Sequence, residues 1–359
     1  MRAAILRDIG KDMDICDDVT TTDVGPGEVR VKIHATGVCH SDLSLQNGTI
    51  PHALPAIPGH EGAGEIIEVG PGVGNLTVGD RVIIAWVPPC GNCKVCISGQ
   101  PYLCTQISMG SALMPRFRLG DEMITGMAGT GTFAEEMVVA SQAAIPFPDD
   151  VPMDVAALVG CGVMTGAGAA INTARVTPGS SVIVFGCGGV GISVIQGARI
   201  AGAAEILAVD MLESKLEQAL RFGATHVTTP DKVMSAIGTI TGGEGFDYGF
   251  EAIGRPETIR AAFDATRRGG STIIVGVGRM EEMVQFSAFE LFFSEKNLRG
   301  SLYGSADVRT DFDRLLRLWR AGKMDLEGMI SQRVKLDDVN DAFEKLKRGE
   351  VIRSVIEMG

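Results

Sequence analysis

From Val182 to Leu302 short apolar runs alternate with amphipathic stretches, and this constrains the fold more than any other feature of the 359-residue chain. Val182–Phe185, Ile206–Val209, His226–Thr229, Tyr248–Ala252, Thr272–Val275 and Leu298–Leu302 read as strands. A helix is expected over Val190–Ala201. A second, with Leu212, Leu216, Ala219 and Leu220 on one face, stops at Gly223. A third carries Ile259, Ala262 and Phe263 and ends at Gly269. Strand–helix alternation of this kind means βαβ units and a doubly wound parallel sheet.

The first third differs. Over Glu28–Ala35, Val29, Val31, Ile33 and Ala35 alternate with Glu28, Arg30, Lys32 and His34. Ile66–Val69, Arg81–Val87 and Met137–Ala140 follow, split by turns such as Gly70-Pro71-Gly72 and Gly79-Asp80. Short strands between glycine turns predict a barrel-like β domain. The tail reads as helical, with one stripe at Phe312, Leu315, Leu316 and Trp319 and another at Val339, Ala342, Phe343 and Leu346. It is expected to pack back on the first domain. Residues 1–162 and 303–359 then form one domain and 163–302 the other, in an α/β chain.

Composition removes several function classes. A net charge of −12 with no basic run disfavours nucleic acid. The opening residues lack the apolar core of a signal peptide, so a cytoplasmic, reducing setting is expected. No charge falls between Asp154 and Arg175 or between Arg175 and Arg199. Both stretches are glycine-rich and only modestly apolar, so a buried parallel-sheet core is expected there and no membrane span.

Gly186-Cys187-Gly188-Gly189-Val190-Gly191 fits G-x-G-x-x-G between a strand and a helix. Gly186 permits the turn, Gly188 admits a pyrophosphate, and Gly191 lets helix and strand pack closely. The amides at the start of the helix, Gly189 and Val190 included, face the phosphates. Asp210, nineteen residues past Gly191, can accept from adenosine ribose hydroxyls and would repel a 2′-phosphate, so NAD is expected over NADP.

Cys90, Cys93, Cys96 and Cys104 have the spacing C-x₂-C-x₂-C-x₇-C, which suits a closed, structural tetrathiolate zinc site. Cys39, His60 and Cys161 would give a Cys₂His set with a vacancy. Taken singly, each also reads as an ordinary buried side chain, and their separation in sequence leaves both readings open.

The segments GVCHSD, PGHEGAGEIIEVGPGV, GDRV, the four-cysteine lobe, GCGVMTG and GCGGVG occur in this order. With them the chain resembles the zinc-containing medium-chain alcohol dehydrogenases over essentially its whole length, nearest the liver-type and thiol-linked formaldehyde branch. Cys₂His is the ligand set already known for alcohol dehydrogenases. The resemblance implies a GroES-like catalytic domain, a Rossmann NAD-binding domain and a cleft between them. It assigns Cys39, His60 and Cys161 to a catalytic zinc, Glu61 to a place behind it as an occasional ligand, and Asp42 to the orientation of His60. Ser41 takes the substrate proton, and the four-cysteine lobe holds the second zinc. Asp210 and Lys215 match ribose contacts, and Arg353 a pyrophosphate contact. His40 stands where relatives carry a pyrophosphate-binding arginine, and Ser44 replaces the histidine that ends the liver-type proton relay. Cys16 and Cys187 have no metal role.

Trp86, Met109, Met127 and Val277 fall at or near pocket positions of the family, with Val277 also against the cofactor. The implied activity is hydride transfer between a primary alcohol, bulky or aromatic ones included, and NAD, giving the aldehyde. Two alternatives are carried: oxidation of a thiol–formaldehyde adduct, for which Arg116 and Arg118 could hold an anionic thiol, and a non-catalytic zinc and NADH sensor. A homodimer is expected.

Overall fold

The computed structural model describes residues 1–107 and 113–359. It divides into two compact units, Met1–Gly162 with Asp307–Gly359, and Val163–Ala306.

The first unit is built on a seven-stranded sheet. Its path runs Ala144–Pro146, Arg81–Ile84, Gly62–Val69, Glu28–Val38, Arg353–Glu357, Ile330–Val334. Glu136–Ala140 pairs antiparallel with the first half of Glu28–Val38, and Arg353–Glu357 with its second half. The alternation read from Glu28 onward is realised: Val29, Val31 and Ile33 are fully buried while Lys32 is exposed. A smaller sheet of Val19–Thr21, Pro115–Leu119, Glu122–Gly126 and Ala56–Ile57 completes the β structure. One core joins Ile5, Leu6, Phe117 and Phe133 to the tail residues Leu336, Val339, Phe343 and Leu346.

The tail was expected to be helical. Helices Val308–Arg320 and Val339–Lys347 are present, but the tail also supplies two strands. Ser-Val-Ile within Arg353–Glu357 is too short an apolar run to announce itself, and it becomes a strand because Glu28–Val38 offers an unpaired edge.

The second unit is a six-stranded sheet in the order His226–Thr228, Glu205–Val209, Ser181–Phe185, Phe246–Glu251, Thr266–Ile274, Asn297–Gly300. Every pairing is parallel. The strand order turns about between Ser181–Phe185 and Phe246–Glu251, and the carboxyl edge at that point is where doubly wound sheets bind ligands. The third helix, Pro256–Ala265, stops four residues before the expected Gly269. Thr266 turns its hydroxyl back onto the Ala262 carbonyl (2.8 Å) and pairs with Phe246, so Thr266 already opens the strand.

The uncharged stretch after Asp154 was expected to be sheet. It is helical instead: Met153–Leu158, a π-helical turn Val159–Val163, Met164–Gly168 and a second π-helical stretch Ala169–Ala174. Glycine density hid a helix whose glycines serve close packing. A Cβ on Gly166 would lie 2.2 Å from the Val190 carbonyl of helix Gly189–Ile200. This run is long and apolar enough to cross a membrane, at 22 residues and mean hydropathy 1.6, but 83% of its window is buried inside the protein. The second stretch forms Ser181–Phe185 and helix Gly189–Ile200.

Candidate active site

The strand Glu28–Val38 delivers Cys39 to the start of the short helix His40–Gln46. His60 and Glu61 lie just before strand Gly62–Val69, and Cys161 sits in the π-helical turn. π turns recur at functional sites because the extra residue re-aims a side chain. One ligand atom from each of Cys39, His60, Glu61 and Cys161 lies within 4.8 Å of the others, and all four residues are buried.

Asp42 organises this cluster. Its Oδ1 accepts from His60 Nδ1 (3.0 Å) and the Gly59 amide (3.0 Å), and its Oδ2 accepts from the Cys39 amide (2.9 Å). With Nδ1 committed, Nε2 is the face that His60 turns to the thiols. That nitrogen is buried and has no hydrogen-bond partner among the described residues. A fixed imidazole with an unanswered Nε2 beside two sulfurs fits a soft or borderline cation such as zinc.

The electrostatics agree. Cys39 accepts a hydrogen bond from Cys161 and faces Arg353 and His60, which hold its thiol well below the usual range against the burial that opposes ionisation. Burial pushes the Glu61 carboxyl up to about 8 even with Arg353 beside it.

Behind the donors, Glu61 Oε1 meets Arg353 Nη2 at 2.6 Å and accepts from the Gly162 amide at 3.0 Å. Arg353 is only 2% exposed, with Nη1 3.4 Å from the Val38 carbonyl. Arg353, which the resemblance gives to a pyrophosphate, also stands as a cation behind the ligand cluster. Two glycines cage the pair: a Cβ on Gly162 would lie 1.5 Å from Arg353 Nη2, and one on Gly37 would lie 2.2 Å from Glu61 Oε2. Sequence reasoning missed this arrangement. The only signal was a glycine beside each of Cys161 and Val38, and glycine is too common here to single them out.

Ser41, half-buried, has its hydroxyl 3.8 Å from the Cys39 sulfur. Trp86 meets His60 edge-on, with ring centres 6.2 Å apart. Met127 is 6% exposed and belongs to the barrel core. Met109 lies outside the described residues. His40 is exposed, and the Ser44 carbonyl accepts from the Ile50 amide. Arg116 Nη1 lies 2.6 Å from Glu28 Oε1, so one of the two cations suggested for an anionic thiol already has a carboxylate partner.

The four-cysteine lobe closes on itself. Cys90 and Cys96 sulfurs are 4.0 Å apart, Cys93 and Cys104 sulfurs 3.9 Å, and no disulfide joins them. A tetrahedron with metal–sulfur bonds of ~2.3 Å has edges of ~3.8 Å. The Asn92 and Cys93 amides draw the Cys90 thiol down to about 6, while burial lifts Cys96 to about 12.

In the second unit the glycine loop turns at Gly186 and packs tightly at Gly191. Gly186 has φ +91°, and a Cβ on Gly191 would lie 1.8 Å from the Gly186 carbonyl oxygen. A Cβ on Gly188 would meet nothing within 4 Å, which leaves open the side a pyrophosphate needs. Asp210 accepts from the Cys187 amide (2.8 Å) and the Leu212 amide (3.1 Å), so it is locked at the loop. Lys215 is close enough to favour ionisation of Cys187, whose thiol burial and Asp210 nonetheless keep neutral. Val277, 52% exposed, lies just past the strand Thr266–Ile274.

Residues 25–149 match the alcohol dehydrogenase GroES-like domain and residues 189–320 the zinc-binding dehydrogenase domain. An S-(hydroxymethyl)glutathione dehydrogenase of Paracoccus denitrificans is 38% identical, covering 99% of each chain. The chain belongs to the zinc-dependent medium-chain alcohol dehydrogenases. An NDMA-dependent alcohol dehydrogenase of Amycolatopsis methanolica is 36% identical over 99% of this chain and 98% of its own. Among solved structures, a benzyl alcohol dehydrogenase from Acinetobacter calcoaceticus superposes with TM-score 0.93 at 32% identity, over 100% of this chain and 99% of that one. Zinc and NAD are the cofactors of this alcohol dehydrogenase family, and both donor sets and the glycine loop are in place for them.

Proposed function

We propose that this alcohol dehydrogenase oxidises primary alcohols, bulky or aromatic ones included, to aldehydes with NAD. The observation that carries this reading is the buried Cys39–His60–Cys161 cluster with His60 Nε2 unanswered beside two thiols. When bound there, zinc supplies a Lewis acid for the alcohol oxygen, and NAD accepts the hydride. The chain's own residues do the rest. Asp42 fixes the His60 tautomer, and the Glu61–Arg353 pair sets the charge behind the donors. Ser41 Oγ receives the hydroxyl proton as it releases its own outward toward the nicotinamide ribose. Asp210 orients the adenosine ribose and favours NAD over NADP. The apolar Trp86 ring, beside His60, suits an aromatic or bulky alcohol.

A panel of alcohols assayed with NAD and with NADP, including formaldehyde plus glutathione or mycothiol, tests the reading. Turnover of benzyl-type and medium-chain alcohols with NAD is expected. Zinc and NADH binding without turnover of any alcohol would leave a sensor instead, and activity confined to the thiol adducts would select that chemistry.

We also infer a cytoplasmic homodimer. The edge strand Asn297–Gly300 is exposed throughout, and Phe289, Phe292 and Phe293 stand 69%, 81% and 55% exposed on the preceding helix Ala288–Ser294. An unpaired edge beside an apolar patch suits a second copy of the chain. Light scattering should give twice the 37.8 kDa chain mass, and Phe292→Asp should shift it toward one.

A further inference from the structure

Glu251 ends the strand Phe246–Glu251 at the turn-about of the parallel sheet, and it is 0% exposed. Its Oε1 accepts from the Ile253 amide (2.9 Å), the Gly254 amide (2.7 Å) and the Thr258 hydroxyl (2.7 Å). Its backbone carbonyl accepts from the amides of Val275 (2.8 Å) and Gly276 (3.0 Å). One residue thus ties together the turn after its own strand, the first turn of helix Pro256–Ala265, and the segment that follows strand Thr266–Ile274.

Those two loop segments cross backbone to backbone. A Cβ on Gly254, where φ is +90°, would lie 2.4 Å from the Val277 carbonyl oxygen, and one on Gly276 would lie 2.1 Å from the Gly254 nitrogen. The crossing presents Ile253 and Val277, apolar side chains 43% and 52% exposed. Glu251 Oε2 is buried with no partner among the described residues. A buried carboxyl group with one oxygen unanswered costs free energy. A turn that needed only ordinary stability could be tied by a neutral side chain.

We propose that Glu251 is a positioning residue for the redox half of the dinucleotide. The inference rests on the NAD reading and deepens it. A dinucleotide lies across the carboxyl edge of a doubly wound sheet at the turn-about. The glycine loop after Ser181–Phe185 takes the pyrophosphate, and Asp210, at the end of the neighbouring Glu205–Val209, takes the adenosine ribose. The other half must therefore extend the opposite way, over the ends of Phe246–Glu251 and Thr266–Ile274. The surface it meets there is the crossing that Glu251 pins. Glu251 acts through backbone and never touches the ligand.

The test compares two ligands on the zinc-loaded enzyme, NADH and ADP-ribose. ADP-ribose carries the adenosine, the pyrophosphate and the second ribose but no nicotinamide. Dissociation constants are measured by fluorescence titration and competition, with zinc content and melting temperature alongside. Glu251→Ala is expected to weaken NADH at least tenfold while ADP-ribose stays within about twofold and zinc is retained. Glu251→Gln, which keeps an acceptor oxygen, is expected to fall between, and Thr258→Val, which removes one of three donors, serves if the alanine variant does not fold. A parallel loss of both ligands would make Glu251 merely structural and overturn the proposal, as would unchanged NADH affinity in every soluble variant. Failure of the unaltered enzyme to bind NADH would instead sink the NAD reading itself.

Discussion

At the scale of single residues, a few buried contacts organise the candidate site. The proposed reading has Ser41 receive the substrate proton, so Ser41→Ala should lower kcat roughly 100-fold or more while zinc per chain is unchanged. A near-native rate would remove Ser41 from the relay. Asp42 holds His60, Gly59 and Cys39 at once. Asp42→Ala should weaken metal binding by about 10- to 100-fold, read by competition with a chromogenic chelator. Gly162→Ala places a methyl where Arg353 Nη2 now lies and must open the buried Glu61–Arg353 pair. Breaking such a pair costs about 3–5 kcal/mol, which urea unfolding would show. The four-cysteine lobe was legible from its spacing, whereas Cys39, His60 and Cys161 were assigned only through the family resemblance. The Arg353–Glu61 pair was not legible, because it joins positions 292 residues apart through a strand that the sequence did not announce.

At the scale of elements, the parallel sheet is anchored at its amino-terminal edge by Asp247. Its carboxylate accepts from the Ser181 amide (2.8 Å), the Ser181 hydroxyl (2.9 Å) and Arg267 Nε (2.7 Å). Partial burial opposes ionisation, but the Ser181 and Arg267 donors outweigh it and hold the carboxyl below its ordinary value. The unfolded chain then binds the proton more readily than the folded one. The stabilisation is therefore full above about pH 3.9 and is lost as pH falls through the folded value. Asp247→Asn should cost about 1–3 kcal/mol at neutral pH and flatten that acid limb. A melting curve series from pH 3 to 7 measures both. Strand positions in this unit were readable because parallel strands buried on both faces give continuous apolar runs. The helical run after Asp154 was misread for the same reason: an apolar, glycine-rich stretch looks alike whether it is strand or buried helix.

At the scale of the whole molecule, metal content separates the two sites. Two zinc ions per chain are expected by elemental analysis. Cys93→Ser should lose the lobe's ion and keep the other, whereas His60→Ala should do the reverse. Loss of both ions from either variant would show that the sites are not independent. Legible in the sequence by itself were the glycine loop with its acidic partner and the four-cysteine lobe. Each is encoded within a short stretch whose local spacing carries its chemistry. Tertiary structure alone decided that Cys39, His60 and Cys161 converge, that Arg353 backs Glu61, and that Glu251 ties two loops together. Those contacts link residues remote along the chain, and only strand pairing and close glycine packing bring them within bonding distance.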